Sequence, residues 1–139
     1  MRTCFVLVLV LAPLLSALPQ KASRASFLGA WEGESKCTVP DSPCHDEQVL
    51  FSISVDNKDP YQLKLDAYKL VDGAPDFMGT LTCQDHTRQS ALSCTGDTSQ
   101  KDDWEFHLFG DAMSGTLRIN DGKTLYRRLT LRKSRAAAK

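Results

Sequence analysis

Residues 44 to 48, "CHDEQ", are the densest group of chemistry-bearing side chains in this 139-residue sequence. A histidine beside two carboxylates has the atoms to hold a divalent metal or to move protons. The spacing works against both. On a strand, successive side chains point to opposite faces, so His45, Asp46 and Glu47 cannot easily converge on one ion. They are expected to form a polar loop end. His86 falls in a turn-like segment. His107 alternates with an apolar face and is expected to point outward. No nucleophile elbow, phosphate loop, paired zinc histidines or Ser/His/Asp constellation is present. No catalytic residue, metal or cofactor is therefore assigned, and the chain is read as a protein that is not an enzyme.

The remaining reactive side chains are the cysteines. Cys4 lies ahead of an apolar run, Phe5 to Leu15, preceded by Arg2 and followed by the small residues of "SALPQKAS". That is the form of a secretory signal peptide, too short to span a bilayer, with cleavage after Ala17 or Ala22. Residues 1–22 are assigned to it and its cleavage region, and the protein is expected to be secreted or periplasmic. No cysteine occupies a lipobox-like position, and no later stretch could span a membrane, so no stable membrane anchor is expected. About 115 residues remain, enough for one hydrophobic core. Four cysteines remain with them: Cys37, Cys44, Cys83 and Cys94. An even number in a small exported domain reads as disulfides. Three pairings are possible. Cys37–Cys44 and Cys83–Cys94 are chosen, because "CTVPDSPC" and "CQDHTRQSALSC" each bracket a turn-like segment. A four-thiolate zinc site is the rival, and the gaps fit its usual close cysteine pairs poorly.

The elements that carry these residues are strands. Val49, Phe51, Ile53 and Val55 alternate with Leu50, Ser52 and Ser54. Tyr61, Leu63, Leu65 and Ala67 alternate with Gln62, Lys64 and Asp66. Trp104, Phe106 and Leu108 share one face, as do Leu117 and Ile119, and Leu125, Leu129 and Leu131. This period of two marks half-buried strands. "NDG" at 120–122 is a hairpin turn whose residues tolerate positive φ. Eight strands are expected at about 28–37, 47–56, 61–70, 77–84, 90–96, 103–110, 112–120 and 123–133. No helical period follows the leader. Short connections make the strands antiparallel neighbours, and closure would remove both sheet edges. The fold class is all-β, an eight-stranded antiparallel up-and-down β-barrel over residues 23–133; a β-sandwich is the alternative. Residues 134–139 are read as a disordered basic tail. Lysines and arginines balance aspartates and glutamates at 17 each, so there is no electrostatic case for nucleic acid. The acid-poor end after Asp121 reads as an exposed last strand rather than an anion-binding patch.

Three features of this barrel carry a resemblance. Gly29-Ala30-Trp31 on the first strand, short meander strands and an arginine on the last strand resemble the calycin group, which includes lipocalins, avidins and fatty-acid-binding proteins. The resemblance implies that Trp31 plugs one end of the barrel and that Arg127 or Arg128 packs across it. The chain is short for a lipocalin, lacks the usual C-terminal helix and has different cysteines, so it is similar to small lipocalin-like exported proteins. From the residues alone, Gly29 or Gly33 lets the first strand bend where the barrel closes. Arg127 shares parity with Leu125, Leu129 and Leu131 and should face inward, where a charge must be paired or reach the mouth. Fatty-acid-binding barrels hold a carboxylate with an interior arginine and a nearby tyrosine. Tyr126 and Arg127 supply those residue types in a different order, and closure over Trp31 is the reading preferred here.

An eight-stranded barrel either fills its interior or holds one small ligand. Phe51, Tyr61, Phe77, Trp104 and Phe106 are the expected fillers, so any cavity should be small. Trp31, Arg127, Tyr126, Phe51, Tyr61, Trp104 and Phe106 are the residues expected to bind a ligand or close the barrel. The leading function is an exported binding protein for a small apolar or amphiphilic molecule. The alternative is a barrel with a filled interior that acts through its surface or loops, on a secreted protein partner, as an inhibitor of an enzyme such as lysozyme.

Overall fold

The computed structural model describes residues 22–96 and 102–135. Eight strands follow one another: β1 (Gly29–Cys37), β2 (Glu47–Val55), β3 (Leu63–Val71), β4 (Ala74–His86), β5 (Ala91–Gly96), β6 (Asp103–Phe109), β7 (Ala112–Ile119) and β8 (Thr124–Lys133). Each pairs antiparallel with the next, and β8 pairs with β1, so the sheet closes into a barrel. The seam runs from Trp31 opposite Lys133 to Cys37 opposite Arg127. A continuous ladder around all eight strands excludes the sandwich. Among the described residues the helical content is one turn, α1 (Arg24–Phe27), and a short 3-10 turn at Thr87–Gln89.

The period-two pattern becomes an inside and an outside. Val49, Phe51, Ile53, Leu63, Leu65, Phe106, Leu108, Leu129 and Leu131 are buried. Four expected positions depart from it. Tyr61 is 84% exposed; its N–H is taken by the Asp59 carboxylate in a turn, and the strand starts two residues later. Val55 lies at the outer end of β2 and is exposed, and Phe77 is exposed near the start of β4. Leu125 leaves the leucine face because the register of β8 shifts there. Leu117 pairs with Arg127 and Arg118 with Leu125, so Tyr126 is an extra residue, a bulge that reverses parity.

Two glycines allow the closure. A Cβ on Gly33 would overlap the carbonyl oxygen of Thr130 across the β1–β8 seam. Gly115 stands opposite Phe106, and a Cβ there would come within 2.6 Å of the ring. The first glycine lets the two end strands meet; the second gives an aromatic ring its place. The tight β7–β8 turn has positive φ at Asn120, Asp121 and Gly122.

The cysteines pair as Cys37–Cys44 and Cys83–Cys94. The first clips the loop after β1. The second joins directly opposed residues of β4 and β5 and is buried in the core. Disulfides of this kind belong to an oxidising compartment. The leader, apart from Ala22, lies outside the described residues, as do 136–139. Ser134, assigned to the tail, is hydrogen-bonded to β1 through Ala30 O and Glu32 Oε1.

Gly33→Ala is expected to lower stability by about 1–3 kcal/mol or more, the cost of overpacking a tight contact, read from the midpoint of urea unfolding. An unchanged midpoint would mean that β1 and β8 do not meet as described.

Candidate ligand-binding cavity

The two ends of the barrel differ. At one end α1 folds across the opening. Phe27 is fully buried, and its carbonyl accepts the indole N–H of Trp31 at 2.8 Å. Arg24 donates to Gln62 O at 2.7 Å and lies 3.6 Å from Asp85, which ties the turn to the β2–β3 connection and to the end of β4. Lys133 Nζ donates to Ser26 O at 3.0 Å and sits 5.2 Å from the centre of the Trp31 ring. Trp31 therefore plugs this end, as the resemblance implies, but its cationic cover is Lys133.

Arg127 and Arg128 do not cover Trp31, because the register forbids it. Arg127 stands opposite Cys37, six residues along β1 from Trp31, or about 20 Å of strand. Its Nη1 group is 3.1 Å from Ser35 Oγ, 3.1 Å from His45 O and 3.2 Å from Glu47 Oε2. An interior arginine thus gains a carboxylate partner, which an enclosed charge requires. The "CHDEQ" cluster is divided among separate tasks. Asp46 accepts the Cys37 N–H, Glu47 pairs with Arg127, and His45 contributes its carbonyl. Arg128 is exposed.

At Arg127's end the interior is hollow. A cavity of about 500 Å³ lies there, among β1–β8, within the ~300–1,000 Å³ range of small-molecule sites. The residues expected to fill the interior do not fill this end. The cause is residue size: Ala67, Gly79, Gly96 and Ser35 line it where the plugged end has Trp31, Phe27 and leucines. Phe51 and Trp104 supply aromatic wall, with Val49, Leu81 and Leu117. Phe106 packs edge-on to Phe51 at 5.9 Å and stacked with Trp104 at 6.2 Å, in the core rather than on the wall. Tyr126 is at the bulge, its ring 6.0 Å from the Arg127 guanidinium, and does not line the hollow. Tyr61 is at the plugged end. Phe77 and Met78 form an exposed apolar lip, with Met78 at a second bulge opposite Ala67 and Tyr68.

Asp102 is a charged lining residue that sequence reasoning missed. One carboxylate oxygen, Oδ1, is buried without a hydrogen-bond partner among the described residues. Burial first, and the nearby Asp103 charge second, hold its carboxyl above the usual carboxylate range. The signal was present: Asp102 shares parity with Trp104, Phe106 and Leu108.

No family model matches the chain, and no curated protein matches it. Among solved structures it is similar to a de novo designed fluorescence-activating β-barrel. The identity is 12% and the TM-score 0.51, and the likeness covers 79% of this chain and 95% of the other. That likeness is one of fold. The class is a closed, all-antiparallel, eight-stranded up-and-down β-barrel carrying two disulfides.

Trp31→Ala is expected to cost about 3–5 kcal/mol, as for emptying a large aromatic site. Lys133→Ala should cost about 0.5–2 kcal/mol, for the cation over the ring. Arg127→Ala should cost about 1.5–3 kcal/mol, by stripping hydrogen bonds from Glu47 and Ser35. Arg128→Ala should stay within about 0.5 kcal/mol of the parent. Thermal or urea unfolding reads all four, and equal effects at Arg127 and Arg128 would contradict the β8 register.

Proposed function

We propose that this is a lipocalin-like, exported, non-enzymatic binding protein that holds one small apolar or amphiphilic molecule in the barrel. The observation that carries this reading is the hollow itself. Its wall is mostly apolar, with a few polar groups at one end, which is the usual build of a small-molecule site. A barrel stabilised only by its interior would gain from filling that space, because every unfilled void forfeits packing contacts. Instead, small residues keep it open, while the opposite end is packed with aromatic and leucine side chains. The Gly29–Trp31 motif, the plugged end and the cationic cover favour the calycin likeness. The leader-like start and the disulfides favour export.

The polar groups near Arg127 suit an amphiphile. The guanidinium is held by Glu47, Ser35 and the His45 carbonyl, so it is fixed in place before any ligand arrives. A pre-positioned site loses less entropy on binding. The aromatic faces of Phe51 and Trp104 suit an apolar chain or ring.

Nile red, a neutral dye whose emission rises in apolar surroundings, should bind the purified protein and be displaced by 1-octanol. Ala67→Phe, which places a ring in the hollow, should weaken dye binding at least tenfold while leaving the far-ultraviolet spectrum unchanged. Absent dye binding, or binding indifferent to Ala67→Phe, would overturn the proposal.

A further inference from the structure

Among the described residues the cavity wall carries three charged side chains, Glu47, Arg127 and Asp102. The first two satisfy each other at 3.2 Å. Asp102 has no such partner, and its buried Oδ1 meets no hydrogen-bond donor among the described residues. An acceptor taken out of water and left unpaired is costly, more so when charged. It persists where something other than the chain supplies the donor. Trp104, two residues on in β6, offers an aromatic ring on the same cavity wall. A carboxylate beside an aromatic ring is the pairing that holds an ammonium group, by charge on one side and by the ring's negative face on the other. Val49, Phe51, Leu81 and Leu117 supply apolar wall for the rest of such a molecule.

We infer that the cavity selects apolar molecules bearing a primary amine, the ammonium meeting Asp102 and Trp104 and the hydrocarbon lying in the hollow. This rests on the cavity's being a ligand site. Within that reading it fixes the sign of the polar group. The Arg127 charge is already matched by Glu47, so a carboxylate gains little there, while it meets repulsion from Asp102. Burial and the Asp103 charge, which both disfavour the ionised form of Asp102 in the empty cavity, are offset by a bound cation.

The test uses n-octylamine, 1-octanol and sodium octanoate, each below its aggregation concentration, titrated into the full mature protein at pH 7 by calorimetry. Octylamine should bind at least tenfold more tightly than octanol, and octanoate no more tightly than octanol. Asp102→Asn should bring octylamine down to the affinity of octanol. The same substitution should raise the thermal midpoint of the ligand-less protein, because it removes a buried charge; a merely structural carboxylate would give the opposite shift. Equal affinities for the three probes, or an amine preference that survives Asp102→Asn, would overturn the inference while leaving the cavity as a binding site. Absence of binding by all three would overturn both. If Asp102→Asn does not fold, the ranking of the three probes on the parent protein decides alone.

Discussion

The contact between β1 and β8 is the constraint on which the rest depends. Seven residues of β1, from Trp31 to Cys37, face seven of β8, from Arg127 to Lys133. Gly33 lets the backbones approach at Thr130, where any side chain would collide. Without this seam the sheet has two open edges and no interior. With it, alternate residues of every strand enclose a single space, and each strand's direction fixes which end of that space its residues reach. The same ladder that sets Lys133 beside Trp31 must set Arg127 at the far end. One register therefore decides both the cover of the plug and the polar group of the cavity.

Within that enclosure, side-chain volume separates two tasks. The plugged end is a packed core. Phe27, Trp31, Ile53, Leu63, Leu65 and Leu131 are buried there, and α1 lies across them with its carbonyls bonded to Trp31 and Lys133. The other end gives up packing at Ala67, Gly79 and Gly96 and leaves a hollow. Phe51, edge-on to the core's Phe106, divides the two. The packed end holds most of the buried core, and the hollow end carries groups such as Asp102, whose Oδ1 meets no hydrogen-bond partner among the described residues.

Much of the barrel was legible because period two is local. Eight strands, their order and both cysteine pairs follow from alternation and from short bracketed turns. The parity argument failed where the backbone inserts an extra residue. Tyr126 removed Leu125 from the leucine face, and nothing in "TLYRRL" announces a bulge. The cover of Trp31 was misplaced for a different reason. The expected cover was an arginine, Arg127 or Arg128, and the structure sets Lys133 there instead; finding it needs the stagger between first and last strands, which is a property of the closed ladder. A ligand-sized hollow was expected, but its extent was not legible from the aromatic residues read as fillers. The informative residues were the small ones, and Asp102 on an apolar face.

The account turns on a ligand entering the hollow end and not the plugged end. Intermolecular nuclear Overhauser effects from bound 1-octanol measure this directly. They should appear at the side chains of Phe51, Ala67, Trp104 and Leu117 and be absent at Phe27 and Trp31. Contacts confined to exposed residues such as Tyr61 and Phe109, or none at all, would contradict a barrel that is hollow at one end and made to be filled.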